Sequence, residues 1–233
     1  FLAFLDDKNL FWLRKNEKDL ACLQIRTVSD KVIVMGDPIG NENYFDELLD
    51  EFINNADNLG YNIVFYEINK EITMKVHEYG FNFMKFGESA NVNLEEFNLD
   101  GKKKKNLRKT INKIDREGYK FEVIKKPFDG KTIKKLQEVS NSWLGEGKEK
   151  GFSLGFFDRD YLNTGDIGLV KNPDGKIIAF ANLCPIYYKN WATVDLMRYD
   201  DNIDGLMDYL FINIFSYLKE NGVKYFDLGM APL

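Results

Sequence analysis

Short apolar runs alternate along this chain with stretches in which apolar residues recur every three or four positions. That is the pattern of strands interleaved with amphipathic helices. Residues 10–13, 20–26 and 31–35 predict three strands, the last reading Lys-Val-Ile-Val-Met. Gly36-Asp37-Pro38-Ile39-Gly40 predicts a turn that opens a helix, with Phe45, Leu48, Leu49, Phe52 and Ile53 at helical spacing. Asn58-Leu59-Gly60 closes that helix, and 61–66 predicts a buried strand. A second helix through Ile72, Val76 and Tyr79 ends at Gly80, before a strand at 81–86.

The same grammar returns further on. Residues 121–125 predict a strand and 132–144 a helix. Strands at 167–170 and 176–183 form a hairpin around Asn172-Pro173-Asp174-Gly175, a strong turn signal. Residues 191–199 predict the next strand, followed by an acidic turn, a helix over 206–221 stopped by Gly222, and a strand at 225–228. Residues 32–66 match 193–227 as strand, turn, helix, glycine, strand, each 35 residues long. This duplication predicts a mixed α/β (α+β) protein with two similar domains, 1–100 and 119–233, joined by a connecting helix at 101–118. The chain begins at Phe1 without Met and ends at Leu233, so it is expected to be part of a longer protein, with its second domain truncated at the C-terminus.

Charge changes the picture at the connector. The net charge of −5 argues against a protein that coats nucleic acid indiscriminately. Yet residues 102–118 hold six Lys and two Arg against Asp115 and Glu117, a local +6, which leaves −11 for the rest. Leu107, Ile111 and Ile114 share one face of this helix, and Lys105, Arg108, Lys109, Asn112 and Arg116 lie on the other. At 1.5 Å per residue the helix is roughly 24 Å long, enough to follow several phosphates.

Composition removes other classes. Apolar residues at 44% and charged residues at 30% suit a packed core. Residues 209–218 are interrupted by Asn213 and Ser216, so no transmembrane span is predicted. Cys22 and Cys184 are too few for a disulfide scaffold or a thiolate zinc site. The single histidine, His77, rules out multi-histidine metal centres, so no metal is expected.

The repeated unit is the core of acetyltransferase-like (GNAT) domains, whose loop between strand and helix holds the coenzyme A pyrophosphate on backbone N–H groups. Here that loop reads Asp200-Asp201-Asn202-Ile203-Asp204-Gly205, and its carboxylates would repel a pyrophosphate. No coenzyme A is therefore expected, and an acyl donor other than acyl-CoA is the natural inference.

Gly36-Asp37-Pro38-Ile39-Gly40, Phe152-Ser153-Leu154-Gly155, Phe180-Ala181-Asn182-Leu183, Val194-Asp195-Leu196-Met197-Arg198-Tyr199, Met207-Asp208 and Phe226-Asp227-Leu228-Gly229-Met230-Ala231-Pro232-Leu233 resemble the catalytic domain of the phosphatidylglycerol lysyltransferase (multiple peptide resistance factor) family. The resemblance implies tandem acetyltransferase-like folds following a multi-span membrane region, at the cytoplasmic face of a bacterial membrane. It implies transfer of an amino acid, lysine by preference and alanine as the alternative, from aminoacyl-tRNA to the headgroup of phosphatidylglycerol. The product would be a cationic lipid that lowers sensitivity to cationic antimicrobial peptides. Rival readings are a transferase acting on peptidoglycan precursors and a non-catalytic module for tRNA or lipid headgroups.

Such a reaction needs a positioned lipid hydroxyl, an acceptor for its proton, and partners for a phosphodiester and an ammonium group. Asp195 and Arg198 are the catalytic candidates: the carboxylate for the ammonium or the hydroxyl, the guanidinium for the phosphate. Residues three apart on a regular strand face opposite ways, so a shared site requires a bulge near Leu196 or Met197, or an early strand end. Asn182, Tyr199 and Asp208 are weaker substrate-binding candidates. Lys102, Lys105, Arg108, Lys109, Asn112 and Arg116 are the expected tRNA contacts.

Overall fold

A computed structural model describes residues 1–186, 190–200 and 203–233. The chain divides into two compact units, Leu2–Lys85 with Gly151–Ser153, and Phe86–Lys150 with Leu154–Leu233 and Phe1.

The smaller unit is a four-stranded sheet, β1 (Asn9–Lys15), β2 (Lys18–Val28), β3 (Lys31–Gly40) and β4 (Asn62–Tyr66), in that spatial order. Helix α1 (Phe45–Asn58) links β3 to β4, which run parallel, and α2 (Lys70–Glu78) follows. The helical spacing read from the sequence is the face that buries: Leu48, Leu49, Phe52 and Ile53 pack inward, three of them against Leu13, Leu23 and Val34 of the sheet. Asn69 caps α2, its side chain accepting from the Ile72 N–H at 2.9 Å.

Two expectations are corrected here. Residues 36–40 do not open a helix; they belong to β3. Met35 pairs with Gln24 and Ile39 with Cys22, so Gly36, Asp37 and Pro38 bulge out opposite Leu23 alone. A proline is tolerated there because the bulge needs no ladder N–H from it. Residues 81–86 form no strand; the strand comes directly after them, in the other unit.

The larger unit is a six-stranded sheet in the order β5 (Gly87–Asn93), β10 (Tyr225–Pro232), β9 (Trp191–Tyr199), β8 (Ile177–Ile186), β7 (Ile167–Lys171), β6 (Lys120–Ile124). Every residue of β8 from Ile177 to Cys184 is buried, because helices cover both faces. Helix α6 (Leu206–Glu220) packs on the face carrying Val170, Ala179, Ala181 and Leu183. Helix α4 (Gly130–Leu144) packs against β8 and β9, and α5 (Arg159–Leu162) is a single turn. The β7–β8 hairpin closes as expected, the Gly175 N–H donating to the Asn172 carbonyl at 2.9 Å.

The basic helix, α3 (Lys105–Arg116) preceded by a 3-10 turn at Lys102–Lys104, is not a connector. It lies inside the larger unit and packs on α6, with Ile114 fully buried and the Tyr209 hydroxyl donating to Asp115 at 2.6 Å. The division between units falls after Lys85, not at residue 100. The apolar face of α3 explains this: Ile111 and Ile114 need a partner surface, and they share an apolar cluster with Leu206, Tyr209 and Leu210 of α6.

The parallel pair β9 and β10, linked by α6, repeats the β3–α1–β4 topology, but the spacing differs. Val32 pairs with Ile63, whereas Thr193 pairs with Asp227. Asp201 and Asn202 of the acidic turn lie outside the described residues.

Candidate active site

Strand β9 breaks its alternation where a shared site requires it. Ala181 pairs with Met197 and Leu183 with Val194, so Asp195 and Leu196 together stand opposite Asn182 alone. This is a bulge, and it returns Asp195, Leu196 and Arg198 to one face of the sheet. Phe180, paired with Arg198, and Asn182 point to that same side, away from α6. The β9–β10 ladder stops at Thr193 and Asp227 among the described residues, so the rest of β9 is free of that neighbour.

The bulge exposes two N–H groups that no strand partner reaches, and Asn182 satisfies both. Its side-chain oxygen accepts from the Asp195 N–H at 3.2 Å and the Leu196 N–H at 2.8 Å. Asn182 is only 2% exposed and sits within β8, so it is neither a turn amide nor open to substrate. That corrects its assignment as a substrate contact.

The Asp195 carboxylate is held at both oxygens. One accepts the Gly155 N–H at 2.9 Å and the other the Tyr161 hydroxyl at 2.5 Å. A side chain at Gly155 would bring its Cβ to 1.7 Å from an Asp195 oxygen, so only glycine allows this approach. Tyr161 is wholly buried on α5, whose first turn is capped by Asp158 accepting the Tyr161 N–H at 2.7 Å. Burial and the neighbouring Cys184 and Asp195 hold the phenol far above its ordinary pKa, which keeps it a donor. Burial, reinforced by the Asp195 charge, pushes the Cys184 thiol up to about 12, so it is no nucleophile at neutral pH.

Arg198 is 5% exposed. Its guanidinium lies 3.9 Å from the centre of the Trp143 ring on α4 and donates to Glu149 at 2.8 Å. Glu149 also accepts the Phe157 N–H at 3.3 Å. The Arg198 Nε is buried and has no hydrogen-bond partner among the described residues.

The other candidates lie elsewhere. Tyr199 pairs with Ala179 and so faces the α6 side. It lines a cavity of about 480 Å³ with Asp204, Gly205 and Asp208 at the start of α6. Tyr199 and Asp208 therefore line one cavity, which Asp195 and Arg198 do not. Asp200 is committed to Lys176 at 2.5 Å and to the Ser142 hydroxyl. On the basic segment, Lys102, Lys105, Lys109, Asn112 and Arg116 are exposed. Arg108 is not on the open side. It is half-buried and donates to the carbonyls of Leu99 and Gly101, tying down the chain before the helix.

Sequence reasoning missed Tyr161, Glu149 and Trp143, which surround the two charged candidates. Gly155 was visible inside a motif, without its role. Nothing in the local sequence joins residues 143–161 to β9, since the contact is made by tertiary packing. Among the described residues no group of three His, Cys, Asp or Glu could hold a metal ion.

Comparison with known proteins agrees with the resemblance. The family model described as phosphatidylglycerol lysyltransferase, C-terminal, matches residues 1–233. Phosphatidylglycerol lysyltransferase of Bacillus subtilis strain 168 is 43% identical over all 233 residues, which span 27% of that protein's length. The structure of L-PGS from Bacillus licheniformis is 42% identical with a TM-score of 0.94, covering 100% of this chain and 73% of that one. A tandem GNAT protein from the clavulanic acid biosynthesis pathway, at 8% identity and a TM-score of 0.52 over 95% of this chain and 74% of its own, shares the fold alone. Matched by the family model from its first residue to its last, the chain belongs to the phosphatidylglycerol lysyltransferase C-terminal family.

Proposed function

We propose that this chain catalyses aminoacyl-tRNA-dependent transfer of an amino acid, lysine by preference, to the glycerol headgroup of phosphatidylglycerol. The observation that carries this reading is an acceptor carboxylate and a buried guanidinium on one face of β9, in a chain that matches the family throughout. The lipid hydroxyl attacks the carbonyl carbon of the tRNA ester. A new ester C–O bond forms, the bond to the tRNA ribose oxygen breaks, and that oxygen takes up a proton in place of the one the lipid lost. The donor is already activated, so positioning and charge are the main requirements.

In this reading Asp195 accepts from the ammonium group or the attacking hydroxyl, and the Arg198 guanidinium pairs with the lipid phosphate. The exposed cations of α3 hold tRNA phosphates. The reaction uses no coenzyme A, whose pyrophosphate the carboxylates at the start of α6 would repel, and no metal ion. No described helix is long and apolar enough to cross a membrane. The intact protein would supply that anchor, with this chain at the cytoplasmic face, and the cationic product would lower sensitivity to cationic peptides.

The test is incubation of the intact protein with radiolabelled Lys-tRNA or Ala-tRNA and phosphatidylglycerol vesicles, followed by lipid extraction and chromatography. Label in the lipid from Lys-tRNA is the expected result. Label from neither donor overturns the reading, and label from Ala-tRNA alone overturns the amino-acid preference.

A further inference from the structure

Arranging Asp195 depends on more than its own strand. A carboxylate on a bulge has a backbone free to relax back into register, and its two N–H groups lack ladder partners. In this chain three elements act against that relaxation. Asn182 of β8 takes both N–H groups, at 3.2 and 2.8 Å. Tyr161 of α5 donates its hydroxyl to one carboxylate oxygen at 2.5 Å, and Gly155 donates its N–H to the other at 2.9 Å. Asn182 and Tyr161 are both shut off from solvent, at 2% and 0% exposure, so neither is available to touch a substrate.

We infer that Asn182 and Tyr161 are positioning residues: Asn182 fixes the bulge that brings Asp195 onto the Arg198 face, and Tyr161 fixes the rotation of the Asp195 carboxylate. The two act on the same residue, Asn182 on the Asp195 N–H and Tyr161 on the Asp195 carboxylate. An aspartate in place of Asn182 would keep an acceptor oxygen for the bulge but lose the amide donor. A phenylalanine at 161 would keep the ring in its buried seat and remove only the hydroxyl. The inference rests on the proposed transfer activity for its kinetic consequence, but the geometry can be read without it.

The experiment pairs amide hydrogen exchange with steady-state kinetics in the intact protein, for Asn182→Ala, Asn182→Asp and Tyr161→Phe. Exchange at the Asp195 and Leu196 amides should accelerate in Asn182→Ala, while Asn182→Asp and Tyr161→Phe retain protection there. A misplacement of about 1 Å at a reacting group costs on the order of a hundredfold in rate. Asn182→Ala and Tyr161→Phe should therefore lose kcat on that scale, with KM for aminoacyl-tRNA and for lipid unchanged. Unaltered exchange in Asn182→Ala overturns the bulge role even if activity falls. Parent-like kcat in Tyr161→Phe overturns the orienting role. Should Asn182→Ala fail to fold, Asn182→Asp and Tyr161→Phe decide: loss of protection in the former, or full kcat in the latter, overturns the inference. An Asp195→Ala protein with full transfer activity refutes the catalytic reading and leaves the exchange result standing by itself.

Discussion

In the smaller unit β3 and β4 run paired from Lys31↔Asn62 to Met35↔Tyr66, whereas in the larger unit β9 and β10 share only Trp191↔Tyr225 to Thr193↔Asp227 among the described residues. Both are parallel strands linked by one helix, and both have a bulge in the first strand. The bulges are built differently. In β3 three residues, Gly36, Asp37 and Pro38, stand opposite Leu23, and Asp37 accepts the Asn69 N–H at 2.8 Å. In β9 two residues stand opposite an asparagine that satisfies them, and the side chains thrown to one face are a carboxylate and a guanidinium. One topology thus carries a candidate charged pair in one copy and a carboxylate tied to a backbone N–H in the other. The difference lies in which side chains the parity break gathers and in what the buried neighbours do for them.

The sharpest way to break this contrast is to remove charge at matching positions. Counting from the repeat, Asp37 corresponds to Arg198. Asp195→Ala and Arg198→Ala should each abolish lipid aminoacylation while tRNA binding persists, because α3 is a separate surface. Asp37→Ala should keep kcat and lower stability by about 1 kcal/mol, the typical net worth of a hydrogen bond. Retained turnover in either β9 variant, or lost turnover with a stable fold in Asp37→Ala, would erase the distinction between the copies.

The two glycines give the next largest effect. An added methyl at Gly155 meets the Asp195 carboxylate, so Gly155→Ala should cut kcat by about a hundredfold. Gly36 has φ +70° and nothing within 4 Å of an added Cβ. Gly36→Ala should instead cost about 1–2 kcal/mol of stability through the left-handed conformation, with kcat intact. Thermal melts and single-turnover assays on the pair would separate the two mechanisms.

The basic segment refines the picture of the larger unit. Lys105→Ala and Lys109→Ala should each reduce the slope of log affinity for tRNA against log salt by about 0.7–0.9. Arg108→Ala should leave that slope nearly unchanged and destabilise the unit by about 1–2 kcal/mol, since its guanidinium already serves two backbone carbonyls. A slope that moves equally in all three variants would return Arg108 to the tRNA surface.

The smallest effect concerns acid. Lys31, with the local backbone and Asn62, holds Asp30 below the ordinary aspartate range, and Lys176 and Ser142 do the same for Asp200. A depressed folded-state value gives stability that is present above the unfolded aspartate value of about 3.9 and lost as pH falls through the folded one. Asp200→Asn should flatten the stability curve below about pH 4 by a few tenths of a kcal/mol, the pair being largely solvent-screened. Asp30→Asn, fully exposed, should change it less. A larger change for Asp30 would reverse the order of the two units.

The alternation of apolar residues was enough to read most of the strands and helices, though not β5 or α5, together with the repeated strand–helix–strand unit and the hairpin at Asn172–Gly175, because those depend on local periodicity and turn chemistry. It also indicated that Asp195 and Arg198 could act together only across a broken strand, since side chains alternate faces on any extended backbone. Four things depended on tertiary packing. Gly36–Pro38 became a bulge because β2 lies alongside it, where the local residues alone read as a turn. The basic helix joined the larger unit because α6 covers its apolar face, and sequence charge cannot reveal that partner. Asn182 acquired its task from two N–H groups thirteen and fourteen residues away, on the neighbouring strand. Tyr161, Gly155, Glu149 and Trp143 came to surround the charged pair through contacts between residues tens of positions apart, which no local pattern encodes and only the closed fold brings within hydrogen-bonding distance.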